Sequence, residues 1–413
     1  MNAILKHFMM NFKTESKIAM VLCGMLALAT SCEKSSNDPN NEDDNLLSGE
    51  LTENRTLQRG QTYYLNGGYH VKAGATLYIE PGVTVIAKDD NIVDYILIEQ
   101  GAKIDAQGTA NEPIVLTSER KEHGAWGGVH ICGYAPINVK GTVSKSEIGD
   151  APYGGDNAND NSGVLRYIRL EYAGYSFSEE KEANGFTFYG VGNGTVAEYL
   201  EAYKGSDDGF EWFGGTLNCK YLVSYDNTDD LFDWTEGWSG KGQFWIGVQK
   251  SAECDCLLEC DNNSKDFAAA PIANPLLSNL TLNGNNSDVN KRGIRLRAGT
   301  FARIFNSVLT GKTNCVTTET AETENSLVNG ASSLKYLFFS TGISCKEGIY
   351  SPELFMAADN HNSLVEDIKL VSDYIGTYNG AMELSADSFF TNVNYSGAVK
   401  EGNDWTKGWA LMN

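Results

Sequence analysis

From residue 60 onward, short runs of alternating apolar and polar residues follow one another, bounded by Gly, Asn and Asp, with no helical period between them. Runs of this kind predict β-strands with one buried face. GATLYIEPGVTVIA (74–87) gives two strands broken by the turn pair Pro81-Gly82, and segments 95–99, 101–108, 113–118 and 126–133 add more. RYIRLEYAG (166–174), GFTFYG (185–190), VAEYLEAY, GFEWFG, CKYLVSY, LFDWTEG, QFWIGV, GIRLRAG (293–299) and ARIFNSVLTG (302–311) continue the series. Strands without intervening helices exclude a doubly wound α/β sheet.

Within residues 205–238 one phrase is said twice. A shift of 22 residues carries Tyr199 onto Tyr221, Tyr203 onto Tyr225, Asp207-Asp208 onto Asp229-Asp230, Phe210 onto Phe232, Glu211 onto Asp233 and Trp212 onto Trp234. A repeat of this length marks a solenoid, whose units bury their apolar faces against one another. Four coils align by phrase, at Gly185, Gly209, Leu231 and Gly293. The alignment predicts an interior column of Phe186, Phe210, Phe232, Ile294 with Phe188, Trp212, Trp234, Leu296, and an exterior column of Thr187, Glu211, Asp233, Arg295. The expected fold is all-β, a single-stranded right-handed parallel β-helix with N- and C-terminal caps. Residues 51–316 form the helix, and 317–413 hold the last coils and a C-terminal cap with a short helix at 352–359, Phe389-Phe390 and DWTKGW (404–409). Residues 137–162 form a long Gly/Asn/Asp-rich loop, a common place for function on a rigid scaffold.

Composition and charge set the address. Lys6, Lys13 and Lys17 precede an apolar run from Ile18 to Ala29, too short to span a bilayer, that ends in LALATSC at Cys32. This resembles the lipobox of bacterial lipoproteins, so residues 1–32 are read as a lipoprotein signal with Cys32 as the lipidated residue. Residues 33–50 read as a disordered acidic tether, and Glu42-Asp43-Asp44 resembles a surface-export signal of outer-membrane lipoproteins. The expected location is the cell envelope, anchored in the outer membrane and exposed at the surface, with the lipid as the only membrane contact. A formal charge of −22 excludes a nucleic-acid partner and an anionic membrane surface. Seven cysteines follow the lipobox. A loop disulfide within Cys254-Asp-Cys256-Leu-Leu-Glu-Cys260 is expected there rather than a zinc site, because no His lies nearby. The five histidines, His7, His70, His123, His130 and His361, show no metal-ligand spacing.

GATLYIEPGVTV, GSDDGFEWFGGTLN, DDLFDWTEGWSGKGQF, LECDNN, GIRLRAGTFARIFNS and DWTKGW together resemble a family of exported bacterial β-helix lipoproteins, over nearly the whole chain after the signal. The resemblance implies fold and location, not chemistry.

Two constellations could carry chemistry. Asp207, Asp208, Asp229 and Asp230 occupy one corner of adjacent coils, close enough to hold calcium, with Asn227 and turn carbonyls completing the shell. The alternative is that these aspartates accept turn amides. Glu211 and Asp233 point outward on neighbouring coils, roughly 5 Å apart, the spacing of a retaining glycosidase pair. Tyr189 and Phe213 are the next outward positions, suited to stacking on a sugar, with Trp238 and Lys241 nearby. NTDDLFD (227–233) resembles a stretch of the β-helix polygalacturonases, whose Gly-His-Gly motif is absent here. Polysaccharide lyases of this fold pair calcium with a basic residue, which makes Arg295 and Arg297 candidates. Three functions therefore stand: a surface glycan-binding or scaffold protein, a calcium-dependent polysaccharide lyase or glycoside hydrolase, and a structural adhesin.

Overall fold

A computed structural model of the chain describes residues 42–178 and 181–412. The signal segment, Cys32 and the first part of the tether lie outside the described residues. Among the described residues twenty-four strands belong to one hydrogen-bonded system, and its pairings are parallel and in register from coil to coil. The fold is a right-handed parallel β-helix, as the repeat predicts.

Each coil lays strands on three faces. Two faces are the halves of one bent strand, as in Val196–Tyr203, Cys219–Tyr225, Lys241–Val248, Leu276–Asn283 and Arg303–Thr310. The third face carries the short strands Phe186–Tyr189, Phe210–Phe213, Phe232–Thr235, Leu258–Cys260 and Arg292–Leu296. Parallel strands in register bring equivalent positions together at about 4.8 Å, so like side chains stack inside. Phe186 lies 5.3 Å from Phe210, Phe210 lies 5.5 Å from Phe232, and Phe188 lies 5.9 Å from Trp212. Trp238 and Trp245 join this core, 4.8 and 5.1 Å from Trp212 and with no exposed surface. Trp238 is therefore not a ligand-facing group. The turn at Glu236-Gly237, with φ of 52° and 85°, folds it back inside.

The bend in each long strand is made by one residue in the left-handed region. These are Tyr167, Tyr199, Tyr221, Phe244, Asn279, Asn306 and Tyr336, with φ between 49° and 60°. Such a conformation costs a non-glycine residue about 1–2 kcal/mol. Stacking offsets it: Tyr167 on Tyr199 at 4.3 Å, Tyr199 on Tyr221 at 4.4 Å, and Tyr221 on Phe244 at 5.2 Å. Where the ladder turns to asparagine, the side chains bond the returning C-terminal segment, Asn279 Nδ2 to Tyr395 O at 2.9 Å and Asn306 Oδ1 from Met382 N at 2.6 Å.

The ends refine the sequence boundaries. Leu46–Leu51 is a strand paired with Thr62–Val71, so residues 46–50 belong to the solenoid and not to a disordered tether. The fully buried Leu47 gives the reason, since it covers the first coil. At the other end, parallel strands continue to Ser363–Leu364. A helix over Ala321–Asn329 carries the buried Glu324, whose carboxylate takes the N–H groups of Glu347, Ile349 and Tyr350. The short cap helix is Pro352–Phe355, started by the Ser351 side chain. From there the chain runs back along the solenoid to reach Glu201, whose carboxylate accepts Leu411 N at 2.9 Å.

All seven cysteines of the described residues are free. The expected loop disulfide does not form because the solenoid separates its partners. Cys260 sits in the interior column beside Trp234, Cys256 lies at the acidic corner, and Cys254 packs against Asp226.

Candidate functional site

On the third face the residue between each pair of interior aromatics points outward. Register places Thr187 beside Glu211, Glu211 beside Asp233, Asp233 beside Glu259 and Glu259 beside Arg295. Glu211 and Asp233 are therefore neighbours, as the repeat predicts. Glu259 is the residue that phrase alignment misses. Aligning the coil at Leu231 directly with that at Gly293 skips Leu258–Cys260, although Leu-Glu-Cys carries the same apolar–acidic–apolar alternation.

At the corner preceding this column stand the four aspartates. The turn is tight because Gly209 has no side chain: a Cβ there would lie 2.3 Å from Ser224 Oγ and 2.8 Å from Leu231 O. Asp208 Oδ1 accepts the Asp230 N–H at 3.1 Å, and Asp230 Oδ1 accepts the Cys256 N–H at 2.5 Å. One oxygen of each thus serves the turn. Carboxylate oxygens still converge: those of Asp207, Asp208 and Asp229 lie within 4.8 Å of one another, as do those of Asp208, Glu211 and Asp233, and those of Asp230, Asp233 and Glu259. Asn227 is not part of this set. Its amide bridges Gly205 N, Ala202 O and Ser224 Oγ inside the turn.

Crowding and burial decide the charge state. Burial, with mutual repulsion second, pushes the carboxyls of Asp207, Asp208, Glu211, Asp230 and Asp233 well above the usual carboxylate range. Asp229, at the exposed edge of the cluster, rises to about 6 for the same two reasons. Glu211 Oε2 accepts Asn184 Nδ2 at 2.5 Å. Asp233 differs, because its Oδ1 is buried and has no hydrogen-bond partner among the described residues. Such a group is costly unless something else satisfies it.

Arg295 and Arg297 close the column. Arg295 bonds Glu259 at 2.6 Å and Glu319 at 3.2 Å, and Arg297 bonds Glu259 at 2.5 Å and Asp261 at 2.6 Å. Burial opposes their charge, but these carboxylates outweigh it and raise both above the ordinary arginine value. Both stay cationic.

The 137–162 loop walls the face. Tyr189 is fully buried beneath it, 4.9 Å from Tyr153, and Phe213 stacks 4.7 Å from Tyr189. Tyr189 therefore offers no ring face to a sugar, whereas Phe213 stays half-buried with one face on Tyr189. Lys241 is also elsewhere: it lies on a bent strand, ion-paired with Asp387 at 2.5 Å. The loop contributes groups that sequence reading does not single out. Tyr189 OH donates to Glu147 at 3.3 Å and Tyr153 OH donates to Glu236 at 2.9 Å. Burial pushes both carboxyls up to about 7. Beside Glu236 opens a cleft of about 700 Å³, lined by polar groups including Asn138, Lys140, Ser144, Asn263 and Lys265. That volume lies within the range of small-ligand sites. The face thus combines a recessed set of hard oxygen donors, fixed arginines and a polar cleft.

The family model described as a pectate-lyase like beta helix domain matches residues 49–410. No curated protein and no solved structure matches the chain.

Proposed function

Because the chain belongs to the family of pectate-lyase-like β-helix domains, we propose that it is a surface-anchored glycan-binding protein whose acidic column holds calcium. The observation that carries this reading is Asp233 Oδ1, buried with no hydrogen-bond partner among the described residues, in a carboxylate set with Asp208, Glu211, Asp230 and Glu259. Calcium takes six to eight hard oxygens and favours carboxylates, which this set supplies, with Asp207 and Asp229 at the adjoining corner. A bound cation reverses the electrostatic penalty that otherwise keeps these groups protonated. The polar cleft beside Glu236 supplies hydroxyl partners for a sugar chain. The lipobox ending at Cys32 supports an envelope anchor, with residues 33–45 linking it to the first strand.

Calorimetric titration of calcium into the protein, repeated on the D233N variant, tests the cation site. Saturable binding that weakens at least tenfold in D233N supports the reading, and no heat at millimolar calcium overturns it. A glycan array probed with calcium and with EGTA tests the ligand, and an array without a specific hit refutes glycan binding.

One observation favours an enzyme as a second reading. Glu211 and Asp233 place carboxyl oxygens within 4.8 Å, near the separation of a retaining glycosidase pair. Product release from a polysaccharide panel that disappears in E211Q would select the hydrolase. A product carrying a new double bond would select the lyase.

A further inference from the structure

A second cavity lies on another face of the solenoid, where the C-terminal segment passes over the Tyr167–Tyr199–Tyr221–Phe244 ladder. Its volume is about 270 Å³, and its lining includes Tyr199, Tyr221, Phe244, Thr391, Asn403 and Trp405. This is just below the range of about 300–1,000 Å³ for drug-sized ligands, which leaves room for a single ring.

The chemistry of the lining narrows the occupant. No residue that lines this slot carries a charge, although the chain has a net charge of −22. Lys220, beside the slot, already gives its ammonium to Thr391 Oγ1 at 3.1 Å. Trp405 stands edge-on to Tyr221, 5.1 Å away at 67°, and its indole N–H is already given to Ala398 O at 3.1 Å. It therefore presents carbon surface to the slot. Hydrogen-bonding capacity comes from the hydroxyls of Tyr199, Tyr221 and Thr391, which line it. Asn403 adds a side-chain amide with no hydrogen-bond partner among the described residues, on the turn closed by Asn403 N to Lys400 O at 2.9 Å. The slot is held open from below. Gln243 fixes Thr391 through both amide atoms, at 2.8 Å each, while Asn279 fixes Tyr395.

A neutral ligand with one carbon face and a rim of hydroxyls matches this arrangement. We infer that the slot is a subsite for a single neutral pyranose, separate from the acidic face and independent of calcium. The choice of a sugar rests on the glycan-binding reading above, but the location does not.

Saturation-transfer NMR and calorimetry with methyl glucoside, methyl mannoside and methyl galactoside, on the full folded protein with EGTA present, test this. Binding of at least one pyranoside is expected. It should weaken about fivefold or more in Y221F, which keeps the ring ladder, and vanish in W405A. D233N should leave it unchanged. Three results would overturn the inference: no pyranoside binds, binding survives intact in both slot variants, or binding requires calcium. The last would place the sugar on the acidic face. Loss of calcium binding alone would overturn the cation reading and leave the slot standing.

Discussion

Replacing Glu236 with glutamine tests the electrostatics of the cleft on one group. Its carboxyl is pushed by burial from 4.5 to about 7, while it accepts the Tyr153 hydroxyl at 2.9 Å. A raised carboxyl binds its proton more tightly in the folded than in the unfolded chain. Its contribution to stability is therefore complete below pH 4.5 and is lost as pH rises through 7. The full loss is about 3 kcal/mol, at about 1.4 kcal/mol per pH unit. Part of it is already gone at pH 5, and the cleft admits some solvent, so about 2 kcal/mol separates pH 5 from pH 8. Glutamine keeps the carbonyl that accepts Tyr153 OH and cannot ionise. E236Q should thus match the parent at pH 5 and exceed it at pH 8. With an unfolding entropy of about 2 cal/mol/K per residue over roughly 370 residues, that gap corresponds to about 3 °C in Tm. Thermal melts followed by circular dichroism in EGTA, at half-unit steps from pH 5 to pH 8, measure it. Parallel melting curves for the two proteins across that range would refute the buried, protonated Glu236.

Three further outcomes follow from the same geometry. Calcium affinity should rise from pH 5 to pH 8, because protons on the raised carboxyls of the cluster, Asp229 at about 6 among them, compete with the ion; calorimetry in two buffers of different ionisation heat would register the released protons. W238A should destabilise the fold by about 3–5 kcal/mol, since a fully buried indole stacked 4.8 Å from Trp212 is removed, and chemical denaturation of the variant gives the figure. E201A should loosen the chain end whose Leu411 N–H Glu201 accepts, seen as faster tryptic cleavage after Lys407 with the solenoid intact.

Much of the fold is legible in the chain because a solenoid repeats its contacts. The period-2 alternation in Phe210-Glu211-Trp212 sets which residues are inside, and the 22-residue shift sets which of them stack. Glu211 beside Asp233 and Asp208 beside Asp230 follow from those two facts alone. The legibility ends where the period breaks. The coil holding Leu258–Cys260 follows an insert of irregular length, so Glu259, the partner of both arginines, drops out of a phrase alignment. Trp238 and Trp245 stand outside the repeated phrase, yet the turn at Glu236-Gly237 and the bend at Phe244 return them to the core.

The sequence by itself determined the strand period, the stacking order and which acidic residues line up on one face, because each depends on neighbours at a fixed spacing along the chain. Only the tertiary structure decided what covers that face and what remains unsatisfied on it. The 137–162 loop seals Tyr189 and brings Glu147 to the acidic groups, Lys241 is drawn away to Asp387, and Asp233 Oδ1 is left buried with no partner among the described residues. These are contacts between segments tens to more than a hundred residues apart. Burial by such segments has no local pattern, so neither the accessibility of a side chain nor its protonation can be read from the repeat that positions it.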